Sequence, residues 1–161
     1  MIAQAYQTLG SVLVMLVLLA CSAFFSGSET AFFNLTHRQL KQLSASGHRL
    51  QKLAAHLLRR PGHLLNCLLL GNIVVNVLFF SISSVLVMRL SRLWGFGAAT
   101  AAAAMSFLGL VIFGEIVPKS LAYRSSRSLA TTAALPLFLI VHVLGPIALV
   151  FRCLLIEPVL R

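Results

Sequence analysis

Four long runs of apolar residues, separated by short polar segments, set the pattern of this chain. They lie at about 2–28, 61–88, 93–113 and 129–151. Each is long enough to cross the hydrocarbon core of a bilayer, which takes about 20 residues of α-helix. A chain in lipid must satisfy its backbone hydrogen bonds internally, so helices are expected throughout. The pattern predicts an all-α integral membrane protein.

Composition agrees with this prediction and bounds the number of domains. Of the 161 residues, 59% are hydrophobic and 10% are charged, whereas about a quarter of a typical soluble domain is charged. The length leaves room for three or four spans with short connections. We therefore expect a single membrane domain over 1–161.

The charge is strongly basic, with a net value of +10. The three acidic residues are Glu29, Glu115 and Glu157. The basic residues flank the apolar runs and are not accompanied by aromatic residues in an RNA-binding pattern, so nucleic acid is not expected as a partner. Anionic membrane lipids are the expected partners, and Arg124 and Arg127 should meet their phosphates.

Lys and Arg also orient the chain, because they accumulate on the cytoplasmic side. The segment 37–60 carries six of them and the segment 119–127 carries three, whereas the turn after the second run has only Arg89 and Arg92. We therefore expect the N-terminus outside and both basic segments in the cytoplasm. The expected location is the inner membrane of a bacterial cell.

The basic segment 37–60 has an apolar stripe. Leu50, Leu53, Ala54 and Leu57 recur at helical spacing. An amphipathic helix lying on the membrane face is predicted, with a solvated hairpin as the alternative.

The fourth run is interrupted by Pro136 and by Gly145-Pro146, and prolines kink helices. It either crosses the membrane or lies bent at the cytoplasmic side. The residues alone leave both arrangements open.

Polar residues occur in pairs within the first and second runs. Ser22 and Ser26 are four apart, as are Asn72 and Asn76, so each pair shares one helix face. Such groups need partners in lipid. They either bond neighbouring helices together or supply oxygen ligands to an ion.

The end of the third run carries an acid and a proline. Pro118 has no backbone N–H and cannot bond the carbonyl of Gly114, four residues before it. A helix break there is expected to leave a free carbonyl oxygen beside Glu115, an arrangement used at ion sites in membranes.

These groups are all hard oxygen donors, without sulfur or imidazole, which favours Mg²⁺ or Ca²⁺ over zinc or copper. The candidate ligands are Ser22, Ser26, Asn72, Asn76, Gly114 and Glu115. An intramembrane hydrolase would need a base at the depth of the serines. His63 lies at the edge of the second run beside the basic segment, and the only histidine well inside an apolar run is His142, so no enzyme is expected.

Three motifs carry a family resemblance. "SAFFSGSETAFF" (22–33), "LLLGNIVVN" (68–76) and "FGEIVPKSLA" (113–122), in this order, resemble the transmembrane domain of the cyclin M/CorC (CNNM, hemolysin-like) family of magnesium transporters. The resemblance covers about 8–150.

The resemblance implies a homodimer with three transmembrane helices per subunit, at about 2–35, 62–88 and 95–120 here, and a juxtamembrane helical belt at about 125–158. It implies Mg²⁺ efflux, coupled to Na⁺ by alternating access. The implied ligands are Ser22 and Ser26, an Asn of the second motif, the Gly114 carbonyl and Glu115. Either Asn72 or Asn76 fits the amide ligand.

One departure bears on function. The family usually continues into cytoplasmic CBS modules, whereas this sequence stops at Arg161. It is either a fragment or a stand-alone membrane domain. The alternative to a transporter is a non-transporting membrane anchor or assembly module, in which the Ser and Asn pairs only bond helices together.

Overall fold

The computed structural model describes residues 2–151, of which helices form nearly all. The described part is 93% helical and contains no strand. The elements in chain order are α1 (Ile2–Phe33), α2 (His37–Ala45), α3 (Arg49–Leu57), α4 (Pro61–Gly109), a π-helical segment (Leu110–Ile116), α5 (Val117–Arg124) and α6 (Ser126–Phe151). The all-α prediction is confirmed. Glu157 and the end of the predicted belt, 152–158, lie outside the described residues.

The stretch from α4 to α5 is too long to be one span. It covers 64 residues, Pro61–Arg124, which is about 96 Å of helix at 1.5 Å per residue, against a hydrocarbon core of about 30 Å. Its one non-helical residue is Gly95, with φ 84° and ψ 177°. Gly95 therefore divides α4 into two arms.

Aromatic packing shows that the two arms lie side by side. The rings of Phe80 and Phe107, from opposite arms, stack with their centroids 6.3 Å apart. The turn was expected near Arg89 and Arg92; the helix instead continues to Trp94 and reverses at Gly95. Only glycine readily adopts this backbone conformation.

The expected break at Pro118 takes another form. The chain stays helical, but it widens into the π-helical segment, where the Val117 N–H bonds the carbonyl of Ile112, five residues back. Pro118 then lies in the first turn of α5, where its missing N–H costs little. The chain thus accommodates the proline by a wider turn before it.

The chain forms two compact units. The first comprises the chain up to Ser26 together with 72–118, and the second comprises 27–71 together with the chain from Lys119 onward. The first unit contains the Gly95 hairpin and the π-helical segment.

In the second unit, α3 packs against α2 and α6. Ala54, Ala130 and Ala134 are fully buried, and such small side chains let helices approach closely. The Asn34 side chain donates to the Tyr123 carbonyl and to the Ser126 hydroxyl, which ties the residue after α1 to the α5–α6 connection. These contacts hold the unit together.

The basic segment forms two short helices, not the single helix expected. Thr36 caps α2 in a reciprocal pair with Gln39. The chain then leaves the helical conformation at Ser46, whose hydroxyl accepts from the His48 N–H. The buried side of α3 includes Ala54 and Leu57, two residues of the predicted stripe.

Among the described residues, three helices are long and apolar enough to cross a membrane, at Thr8–Phe33, Pro61–Arg124 and Ser126–Val143. The last belongs to α6, which continues through Pro136 without interruption. Its placement as a juxtamembrane belt stays a prediction.

Replacing Gly95 by Ala should destabilise the hairpin. An L side chain at this φ and ψ is strained by about 1–3 kcal/mol. Thermal unfolding in detergent measures the loss. Gly97→Ala is the matched control, since Gly97 lies in the helix with open space around it and should gain slightly from the better helix former. Equal melting temperatures for the two variants would contradict the assignment.

Candidate metal centre

Two serines of α1 begin the site. Ser22 and Ser26 have no exposed surface, although the helix is otherwise largely apolar. They are one helical turn apart and therefore share a face. Buried hydroxyls need partners, and both find them in the first unit.

Asn72 and Asn76 of α4 meet Ser22. The Ser22 hydroxyl lies 2.8 Å from Oδ1 of Asn76 and 3.3 Å from Oδ1 of Asn72. The sequence left the choice between the two amides open, and the structure brings both to the same hydroxyl. Asn76 has the shorter contact.

Glu115, in the π-helical segment, completes the cluster. Its Oε1 accepts a hydrogen bond from Nδ2 of Asn76 at 3.2 Å, and its backbone carbonyl lies 3.5 Å from the Ser26 hydroxyl. The backbone oxygen that faces Ser26 thus belongs to Glu115, and the role of the Gly114 carbonyl as an ion ligand stays a prediction. The spacing of residues does not indicate the contact between Ser26 and the Glu115 carbonyl, because this contact depends on the π-helical turn.

Gly114 has a steric role. A Cβ atom at this position would lie 3.0 Å from the Ser22 Oγ and 3.2 Å from Cδ1 of Leu110. Gly114 itself is buried. The absence of a side chain therefore lets the π-helical segment approach Ser22, and this approach brings Glu115 to the amides.

Two acceptor oxygens of the cluster share one proton. The amide oxygens of Asn72 and Asn76 converge on the hydroxyl of Ser22, at 3.3 and 2.8 Å, and a hydroxyl carries a single proton. Oxygens that converge in this way beside a carboxylate are a suitable environment for a cation.

The spacing of these oxygens fits a small ion. Mg²⁺ holds oxygens at about 2.0–2.1 Å in an octahedron, so adjacent ligand oxygens are about 2.9 Å apart. The 2.8 and 3.3 Å separations around the Ser22 Oγ are hydrogen-bond distances, and they are close to this value, so a small ion would need only a small adjustment of these oxygens. In the described part of the chain no three His, Cys, Asp or Glu residues come together, so a site of the zinc type is not formed there.

The structure thus gathers the side chains of Ser22, Ser26, Asn72, Asn76 and Glu115, with Gly114 at the closest approach. Pro118 lies in α5, three residues beyond Glu115.

Comparison with known proteins places this arrangement in a family. The sequence profile described as "Cyclin M transmembrane N-terminal domain" matches residues 13–156, which include all of the candidate ligands. The chain belongs to the cyclin M transmembrane family. The resemblance expected from the three motifs is confirmed.

Relatives of this cyclin M domain occur in bacteria and animals. It is 38% identical over 101 residues to the UPF0053 inner membrane protein YfjD of Escherichia coli (strain K12), covering 63% of this chain and 23% of that protein. It is 36% identical over 110 residues to a UPF0053 protein of Haemophilus influenzae, covering 68% and 26%. With the metal transporter cnnm-1 of Caenorhabditis elegans it shares 35% identity over 146 residues, covering 86% and 17%.

The chain spans about a quarter or less of the length of these relatives. Its long apolar helices and its membership of the family make it an integral membrane protein.

Gly114→Ala should destabilise this cyclin M domain by about 1–3 kcal/mol, because the added methyl group overlaps a fully buried hydroxyl. Unfolding in detergent measures the loss. Gly109→Ala is the matched control, with nothing within 4 Å of its added Cβ. Removing the hydroxyl relieves the overlap, so Ser22→Ala with Gly114→Ala should cost less than the sum of the single changes. Strict additivity would argue against the contact.

Asn76→Ala should cost more stability than Asn72→Ala. Asn76 both accepts from Ser22 and donates to Glu115, and its loss leaves polar groups without partners, at about 1–3 kcal/mol. Asn72 makes one longer contact, so less than about 1 kcal/mol is expected. The same unfolding assay ranks the two variants, and the reverse order would contradict the bond assignment.

Proposed function

We propose that this domain binds and transports a divalent cation, Mg²⁺, through the oxygen cluster of its first unit. The observation that supports it most is the convergence of both Asn amide oxygens on the Ser22 hydroxyl, with the Glu115 carboxylate bonded to Asn76. The relative named a metal transporter, which matches 86% of this chain, supports the same function.

The number and type of ligands favour Mg²⁺ over Ca²⁺. Calcium takes six to eight oxygens, whereas magnesium keeps several waters and needs few protein ligands. The cluster offers two hydroxyls, two amides and one carboxylate, and the Gly114 carbonyl is the further ligand in this proposal. One negative charge leaves a divalent ion half neutralised, so the ion binds weakly enough to be released, as transport requires.

The transport cycle in this proposal is alternating access, with Na⁺ entering as Mg²⁺ leaves the cell. The π-helical segment is the element that changes conformation, because its wider turn and the Pro118 that follows it weaken the regular helix at the site. The protein acts as a homodimer in a bacterial inner membrane, with its N-terminus outside and 37–60 in the cytoplasm. No enzymatic step is part of this function.

A membrane anchor or assembly module is the second candidate. Every described buried side-chain N or O atom has a hydrogen-bond partner, so the polar cluster is also compatible with a role in bonding helices together. In that case divalent ions leave the stability of the protein unchanged.

Mg²⁺ should raise the melting temperature of the purified protein, because a ligand that binds only the folded state stabilises it by about 2.7 kcal/mol at a hundredfold excess over its Kd. Glu115→Ala should abolish this shift. Glu29→Ala is the matched control, since this carboxylate pairs with Lys119 at 3.9 Å in the second unit. A Mg²⁺ shift that survives Glu115→Ala would contradict the site, and a larger shift with Ca²⁺ would contradict the choice of ion.

Flux into or out of proteoliposomes tests transport itself. Mg²⁺ flux should require the intact cluster. The flux should be faster when a Na⁺ gradient drives Na⁺ across the membrane in the opposite direction. Binding without flux, in vesicles where the protein is correctly folded, would favour the anchor.

A further inference from the structure

A polar, largely open cavity lies in the second unit, where α5 ends and α6 begins. It has a volume of about 730 Å³, within the range of about 300–1,000 Å³ of small-molecule sites. All twelve residues that line it carry a polar group on the side chain, and none is acidic. Two of them, Arg124 and Arg127, bring fixed positive charge.

The cavity is rich in hydrogen-bond donors. Within the described chain, no hydrogen bond or ion pair engages the side chains of Arg124, Arg127, Gln51, Ser125 or Ser128. Each of these side chains can donate, and the two guanidinium groups can only donate. This set suits a ligand that is negatively charged and has several acceptor oxygens, such as a phosphate group.

The backbone at this point is nearly continuous helix. The α6 helix begins at Ser126, the Ser125 N–H bonds the Leu121 carbonyl, and the Leu129 N–H bonds the Ser125 carbonyl. The preference for an anion therefore rests on the side chains, above all on the two guanidinium groups.

One face of α6 continues from the cavity into apolar residues. Ser128 and Thr132 line the cavity, and Leu135 and Leu139 follow at helical spacing on the same face. These leucines are 54% and 60% exposed. A polar, cationic head region followed by an exposed apolar stripe matches the shape of a phospholipid.

We propose that this cavity binds the headgroup phosphate of an anionic phospholipid, with an acyl chain lying along the Leu135 face of α6. Arg124 and Arg127 hold the phosphate, and Gln51, Ser125 and Ser128 donate to its oxygens and to the rest of the headgroup. The site is separate from the oxygen cluster, which lies in the first unit.

The lipid dependence of thermal stability tests the proposal in the full 161-residue chain. The protein is held in mixed micelles of detergent and phosphatidylcholine. Added phosphatidylglycerol should raise the melting temperature up to a plateau, whereas the same amount of additional phosphatidylcholine should leave it unchanged. Each Arg near an anionic headgroup strengthens binding about fivefold. Arg124→Gln and Arg127→Gln should therefore each raise the half-saturating lipid fraction about fivefold, and the double variant about 25-fold.

Arg92→Gln is the matched control, because it removes an exposed Arg from the first unit and should leave the lipid response unchanged. Leu135→Ser should weaken the response to long-chain phosphatidylglycerol and spare that to the dihexanoyl form. An equal response in the double variant and in Arg92→Gln would overturn the site. If inorganic phosphate alone produced the full shift, with no further effect of the lipid, the lipid assignment would be wrong.

Discussion

The close approach of a serine hydroxyl to a glycine sets the distances in the first unit. A Cβ atom at Gly114 would lie 3.0 Å from the Ser22 Oγ. The π-helical segment can therefore approach α1 this closely because residue 114 has no side chain. The approach brings the Glu115 carbonyl within 3.5 Å of Ser26 and leaves the Glu115 carboxylate at the Asn76 amide. Without it, the Glu115 carboxylate would lose its bond to the Asn76 amide, and an acidic group without a partner in an apolar environment costs several kcal/mol.

A second constraint is the reversal of α4 at Gly95. Asn76 lies 19 residues before this glycine and Glu115 lies 20 after it, and their side chains meet at 3.2 Å. Phe80 and Phe107 meet in the same way along the two arms. One residue in a backbone conformation that other amino acids avoid thus aligns two long helices so that polar groups far apart in sequence become neighbours. The stacked rings help to fix their register.

The hydrogen bonds that stabilise this unit use the same atoms that would hold an ion. The Ser22 hydroxyl, the Asn amides and the Glu115 carboxylate are bonded to one another, and a cation would take over these oxygens. A site built in this way has partners with or without its ligand. Exchanging these hydrogen bonds for bonds to a cation costs less free energy than leaving the oxygens without partners in lipid. A low cost of exchange is compatible with repeated binding and release.

The pattern of residues along the chain is enough to predict the helical fold, the membrane environment and the residues of the candidate site. Long apolar runs can satisfy their backbone in lipid only as helices, and Ser22, Asn76 and Glu115 were conspicuous because polar groups are costly there. Three features become visible only in the folded chain: both amides meet one hydroxyl, the Glu115 carbonyl faces Ser26, and a π-helical turn replaces the break. These features depend on distances between helices and on how one turn widens, and the spacing of residues along a single helix carries no information about either.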